Sequence, residues 1–268
     1  MKISILILLA LATIIGLLFL GPIPQDQLYY QFADSRTLLN IPNALNVLSN
    51  LAFLGIAGIG FWQLKLHSPA TSVVLYSKLF TFGVLLTAFG SAWFHLLPSN
   101  ASLVWDRLPM TIAFSTFFVC ILQDYVTERS KALFWPVLLF SISSVFFWYW
   151  TEQIGKGDLR PYILVQFLPI LLLPFILIMY KPRYTRVFPL LIALILYVLA
   201  KISEAKDMEI YELTNQWLSG HSLKHILAAI GAYYIIKACL GSTAFTQNHV
   251  ATNETINHKI VKPKASYD

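Results

Sequence analysis

The chain has 268 residues, of which 57% are hydrophobic, 15% aromatic and 12% charged, with a formal net charge of +6. The charged share is about half that of an ordinary globular chain, too small to cover a water-facing surface, and a chain this apolar is not a disordered one. The mean hydropathy is +0.66, and the basic residues sit beside apolar runs rather than in one patch. Nucleic acid is therefore excluded as a partner, and a polytopic membrane protein is expected.

A lipid-spanning helix needs about 20 mainly apolar residues. Eight runs qualify, roughly 3–20, 43–63, 78–97, 106–125, 132–150, 162–180, 187–202 and 221–240. The first is longer than a typical signal-peptide core and ends in Gly21-Pro22-Ile23-Pro24 without a small-x-small cleavage site, so it reads as an uncleaved anchor. A polar outer segment follows, with Asp26, Tyr29, Tyr30, Asp34 and Arg36. Span two opens with Asn46-Val-Leu-Ser49-Asn50. Its two asparagines share a helix face. These three polar residues are either interhelical glue or the groups that hold a metal-ligating histidine in its tautomer. Span three ends Gly90-Ser91-Ala92-Trp93-Phe94-His95, and span four opens with Asp106-Arg107.

Gln166, Lys201 and Glu204 read as structural, the last two as an ion pair. Residues 203–220 form an acidic amphipathic stretch with Ile210, Leu213 and Trp217. Span eight opens with His221-Ser-Leu-Lys-His225. Trp62, Trp105, Trp217 and Tyr197 fit an aromatic belt. Cys120 and Cys239 lie within apolar runs and read as small buried hydrophobes. Two glycosylation sequons, at Asn100 and Asn253, carry no weight, and no internal repeat supports an inverted-repeat transporter.

The expected fold is an all-α integral membrane protein, a bundle of seven core transmembrane helices plus one extra N-terminal helix. Three regions result: 1–42 as anchor helix and outer segment, 43–240 as the seven-helix membrane domain, and 241–268 as a disordered cytoplasmic tail. With the N-terminus inside, 12 Lys and Arg fall in inner segments and seven in outer ones. That places both termini in the cytoplasm of a plasma-membrane protein.

Ionisable groups inside spans are costly and mark functional positions. Ser91 and His95 are four apart on one face, as are His221 and His225. Spans three and seven run outward and spans four and eight inward, so His95, Asp106, His221 and His225 all fall at the outer membrane boundary. Three imidazoles with an open fourth position are a catalytic zinc arrangement, in which bound water has a pKa near about 7. Imidazole is a poor ligand for calcium or magnesium. Each residue also has an ordinary reading. The HxxxH pair is then two interfacial histidines, His95 a hydrogen-bonded boundary residue, Asp106-Arg107 an ion pair at a helix start, and Ser91 a hydroxyl bonded back to its own helix. His67, His249 and His258 lie in inner segments, outside the site.

Ser91-x-x-x-His95, with Asp106 eleven residues after the histidine and a late His221-x-x-x-His225, resembles the alkaline ceramidases. Their superfamily of membrane hydrolases also includes the progestin and adiponectin receptors and Per1-type lipid-remodelling proteins. Asn46-Val-Leu-Ser49-Asn50 is similar to the Asn-Thr-x-Ser-Asn opening of the family's first common helix. The stretch 105–114, WDRLPMTIAF, resembles its bacterial branch. The likeness spans roughly 43–240. It implies His95, His221 and His225 as zinc ligands and Ser91 and Asp106 as catalytic residues. The substrate it implies is a membrane lipid, ceramide or a related N-acyl lipid, cleaved to a fatty acid and a sphingoid base.

Two features depart from the eukaryotic ceramidases. One is the extra N-terminal span. The other is the missing acidic calcium cluster: only Asp26, Asp34 and Asn43 offer scattered oxygen ligands, so a calcium requirement lacks support. The rival expectation is a receptor or binding protein in which the metal is structural and turnover absent.

Overall fold

The computed structural model describes residues 1–67 and 71–240. The expected tail at 241–268, with His249 and His258, lies outside them. No strand occurs among the described residues, and eight helices are long and apolar enough to cross a membrane. The protein is an all-α, multi-pass membrane protein.

Helix α1 (Lys2–Phe19) buries only Leu6 and lies outside the bundle. It runs antiparallel to α7 (Arg160–Met179). Lys2 Nζ donates to the Met179 carbonyl at 2.6 Å, and Arg160 Nη1 donates to the Leu18 carbonyl at 3.3 Å. This is the extra helix beside the seven.

Span two is broken, which its hydropathy does not announce. Helix α2 (Ala44–Leu48) gives way at Ser49-Asn50 to α3 (Leu51–Leu66). Ser49 Oγ and Asn50 Nδ2 both donate to the Asn46 carbonyl, at 3.0 and 2.8 Å. Side-chain donors thus compete with the backbone for that carbonyl, as short polar side chains do.

Helix α4 (Thr71–Leu96) turns into α5 (Asn100–Ile121) through a capping box in which Ser99 and Ser102 satisfy each other's backbone N–H groups. The cap starts α5 six residues before Asp106, the residue at which the expected span opens. Asp106 therefore sits in the second turn and is buried. Pro109 lacks the N–H that would bond the Trp105 carbonyl, and α4 approaches that carbonyl through Gly90. A Cβ added at Gly90 would lie 2.0 Å from the Trp105 oxygen. The close crossing brings Ser91 opposite Asp106. Gly90→Ala is expected to force α4 and α5 apart and to cost about 1–3 kcal/mol, the usual cost of overpacking. Thermal unfolding in detergent measures it, and an unchanged midpoint would contradict the contact.

After α5 the chain makes a π-helical turn (Leu122–Val126) and a 3-10 segment (Glu128–Leu133). It continues as α6 (Phe134–Gln153), α7, α8 (Val187–Ala205), the short α9 (Asp207–Leu213) and α10 (Gly220–Leu240). Helices α3 to α7 pack as successive neighbours, and α10 closes the bundle against α3, α4 and α8. Although consecutive in the chain, α7 and α8 share no substantial contact. At the end of the bundle away from the histidines, the buried Asp124 carboxylate accepts the backbone N–H groups of Arg183, Tyr184 and Thr185 at 3.1, 2.8 and 3.1 Å, and fastens the α7–α8 loop. Cys120 and Cys239 are both buried in one apolar cluster, as their sequence setting suggests.

Candidate metal centre

His95 ends α4, and His221 and His225 open α10. All three are buried, with one ligand atom from each lying within 4.8 Å of the others. They are the only such convergence of His, Cys, Asp or Glu among the described residues. The Nε2 atoms of His95 and His225 face each other at 3.3 Å. The trio can hold a metal ion.

Local structure explains how the rings are aimed. Helix α10 starts tightly against α8, since a Cβ at Gly220 would lie 2.1 Å from the Ser203 carbonyl. Asp207 Oδ1 accepts the His221 backbone N–H at 2.7 Å, a carboxylate placed at the positive end of α10. Ser49 Oγ lies 2.7 Å from His225 Nδ1 and gives its own proton to the Asn46 carbonyl. The oxygen therefore accepts from Nδ1–H, which leaves the His225 Nε2 lone pair pointing into the trio.

Asn46 and Asn50 do not reach the histidines through their side chains. Asn46 Oδ1 accepts from Ser222 Oγ at 2.8 Å, and its Nδ2 donates to the Asp34 carbonyl at 3.0 Å. Asn46 thus ties the start of α2 to α10 and to the outer segment. Asn50 bonds back to its own helix.

The segment between α1 and α2 roofs the site. Phe32 meets the rings of His95 and His221 edge-on at 4.7 and 4.9 Å, and Tyr29 stacks on Phe94. Ala33 N–H bonds Asp207 Oδ2 at 2.9 Å, which joins the roof to the carboxylate that caps α10. Asp34 is fully buried, and both its oxygens take the Arg36 side chain, at 2.8 and 2.7 Å. Burial alone would raise the Asp34 carboxyl, but hydrogen bonds from the Arg36 side chain and backbone hold it below its ordinary value. Asn43, in the left-handed region that asparagine tolerates, donates to the His95 carbonyl at 2.9 Å. Asp26 accepts the Leu28 N–H. The three oxygen ligands considered for calcium thus serve three separate local contacts.

A cavity of about 260 Å³ opens beside the trio, between α4, α5, α7, α8 and α10. Its floor is apolar, with Phe80, Phe117, Leu173 and Ile235, and its upper end holds Ser91, Asp106 and His225. The Ser91 side chain meets the Asp106 carboxylate there. Asp106 and Arg107 are not an ion pair. Arg107 turns away to lie over the rings of Trp148 and Tyr162, at 4.1 and 4.9 Å.

Several residues read as structural or interfacial also line this cavity. Lys201 and Glu204 form the expected ion pair, but Glu204 also takes Lys224 Nζ at 2.9 Å, and that ammonium lies 3.0 Å from His221 Nε2. Lys224 sits inside the His221–His225 motif, and a charge within an apolar run was the available signal. Tyr197 and Gln166 line the cavity, so Tyr197 does not belong to an outward-facing belt, whereas Trp62, Trp105 and Trp217 are exposed. Burial, together with the nearby carboxylates of Glu204 and Asp106, raises the Tyr29 phenol well above its ordinary value. The phenol stays protonated and donates to Glu204 at 3.3 Å. His67 ends α3 as an exposed residue, remote in the fold from the trio. The chain matches no family model, and no curated protein matches it.

Proposed function

We propose that the protein is a zinc-dependent amide hydrolase of the alkaline ceramidase type, cleaving ceramide or a related N-acyl lipid within the bilayer. One observation carries this reading. A general-base candidate, an oxyanion donor and a buried imidazole of the metal-holding trio share the polar end of a cavity whose remaining walls are apolar. A merely structural three-histidine site has no use for the carboxylate.

The donor set suits zinc. Two ligand atoms on a tetrahedral zinc stand roughly 3.3 Å apart, given Zn–N bonds of about 2.0–2.1 Å, and the His95–His225 spacing is 3.3 Å. His95, His221 and His225 would hold the ion. If His221 used Nε2, Lys224 Nζ, now 3.0 Å from that atom, would keep Glu204 as its partner. When bound, zinc supplies Lewis acidity that polarises an amide carbonyl and acidifies water at neutral pH.

The chain's own residues do the rest. Asp106 takes the proton of the attacking water and returns it to the amine nitrogen as the C–N bond breaks. Ser91 Oγ donates to the oxygen that gains charge. Phe32 and Tyr29 exclude outside water from the imidazoles, and the apolar floor accepts hydrocarbon. The sparse contact between α7 and α8 supports access for a lipid directly from the membrane. Metal analysis of detergent-purified protein, combined with release of fatty acid from a labelled ceramide, tests the whole reading. Full metal content with no turnover on any N-acyl lipid would favour the receptor alternative.

In the same proposal the site faces the outside of the plasma membrane and both termini are cytoplasmic. The end of the bundle away from the histidines carries Lys2, Lys65, Lys78, Arg129, Lys131, Lys181, Arg183, Arg186 and Lys237, as the positive-inside rule requires of a cytoplasmic face. A reporter fused after residue 240 is expected to read as cytoplasmic, and one inserted at 203–220 as external. The reverse pattern would overturn the orientation.

A further inference from the structure

We infer that Asp207 is a positioning residue of the metal centre: with Asn46 it keys the roof to the first turn of α10, so that filling the trio and closing the roof reinforce each other. The inference rests on the trio as a metal site and not on the reaction proposed for it.

Two side chains bridge the same two stretches of chain. Asp207 accepts the His221 N–H at Oδ1 and the Ala33 N–H at Oδ2, at 2.7 and 2.9 Å. Asn46 Oδ1 accepts from Ser222 Oγ at 2.8 Å, and its Nδ2 donates to the Asp34 carbonyl at 3.0 Å. Adjacent roof residues, Ala33 and Asp34, are thus tied to adjacent residues of the metal-bearing turn, His221 and Ser222. The residue before them, Phe32, lies edge-on against the His95 and His221 rings. From Gln31 to Thr37 the backbone forms neither helix nor strand, so contacts with other elements set its position. Segments held in this way open locally at small cost.

An ion in the trio would fix the His95 and His221 imidazoles, the two rings on which Phe32 packs. Order gained at the rings is then order gained at the roof, and the coupling runs equally in the other direction. The roof also governs entry. The gap between α7 and α8 lies between two apolar spans, a costly route for an ion, so an ion reaches the histidines from the roof side.

Hydrogen exchange of the full-length purified protein, with and without zinc, reads the roof directly. Exchange of the amides from Leu28 to Arg36 is expected to slow on zinc binding by about tenfold or more, the worth of one hydrogen bond to a charged group. Asp207→Asn keeps one acceptor and turns the other oxygen into a donor facing an N–H group. It can cap α10 or hold Ala33, but not both, so the zinc-induced protection of the roof should vanish while α10 stays folded. Zinc affinity should fall by about tenfold, the low end for a group that supports a ligand without touching the metal. Asp207→Glu, with both acceptors, should recover part of each effect. Full zinc binding by wild type with no change in roof exchange would overturn the inference and leave the metal site standing. Undiminished zinc-induced protection in Asp207→Asn would overturn it equally.

Zinc content separates the two failures. If wild type binds none, the metal site is refuted and the coupling with it, and modification by diethyl pyrocarbonate then decides the roof link alone. His95 and His221 reacting more slowly than the exposed His67 in wild type, and about tenfold faster in Asp207→Asn, would support that link. Equal rates in the two proteins would defeat it. If Asp207→Asn does not fold, Ser222→Ala carries the decision. It removes one hydroxyl, cuts the Asn46 bridge at its α10 end, and should weaken the zinc-induced protection of the roof; unchanged protection would count against the coupling.

Discussion

Asp106→Asn is expected to keep bound metal and lose hydrolysis by roughly 10²–10⁴-fold, the usual contribution of a positioned general base. The amide preserves shape and hydrogen-bonding capacity but cannot accept a proton at neutral pH. Asp106 lies in the second turn of a capped helix, fixed where α4 crosses α5 at Gly90, so the substitution leaves the packing alone. Its companion Ser91→Ala should raise the barrier by less, near the lower end of about 2.7–4 kcal/mol for a lost oxyanion donor, because a metal held by the trio would share that oxygen's charge. Metal content and fatty-acid release measured in the same preparations separate the effects. Equal activity in wild type and Asp106→Asn would remove the carboxylate from the mechanism.

Removing any one imidazole is expected to empty the site. His95→Ala, His221→Ala or His225→Ala leaves two ligands, too few to hold a divalent ion tightly, and each variant should lose most of its bound zinc. Ser49→Ala is the more discriminating change. It removes the acceptor of the His225 Nδ1–H, 2.7 Å away, without touching a ligand atom. The loss of that orienting bond should weaken metal affinity by about 10–100-fold. His67→Ala, at the exposed end of α3, should change nothing. Elemental analysis after dialysis against a weak chelator reads all five variants. Full zinc retention in the three histidine variants would dispose of the site.

The eight spans and the all-helical fold were legible in the sequence because hydropathy is local. A run of about 20 apolar residues crosses a bilayer whatever its neighbours are. The gathering of His95, Asp106, His221 and His225 at one boundary followed from the same runs, since alternating directions put the end of α4 and the starts of α5 and α10 on one side. Ser49 was legible only as one of two alternatives. Glue and tautomer control look alike until a partner is known, and the partner, His225, is 176 residues away.

Tertiary structure alone decided which charges meet. Asp106 and Arg107, adjacent in sequence, diverge because Trp148 on α6 and Tyr162 on α7 offer the guanidinium two faces. Lys224, passed over between two histidines, joins Lys201 and Glu204 because α8 and α10 pack together. Tyr197 reads as a belt residue by composition and turns out to line a cavity, because helices α7 and α8 stand apart beside it. Hydropathy counts how much of a helix is apolar, whereas the direction each polar side chain takes depends on what the neighbouring helices present to it. The sequence therefore determined the membrane fold and the trio's common depth, and the packing between distant helices decided the cavity and the charges that line it.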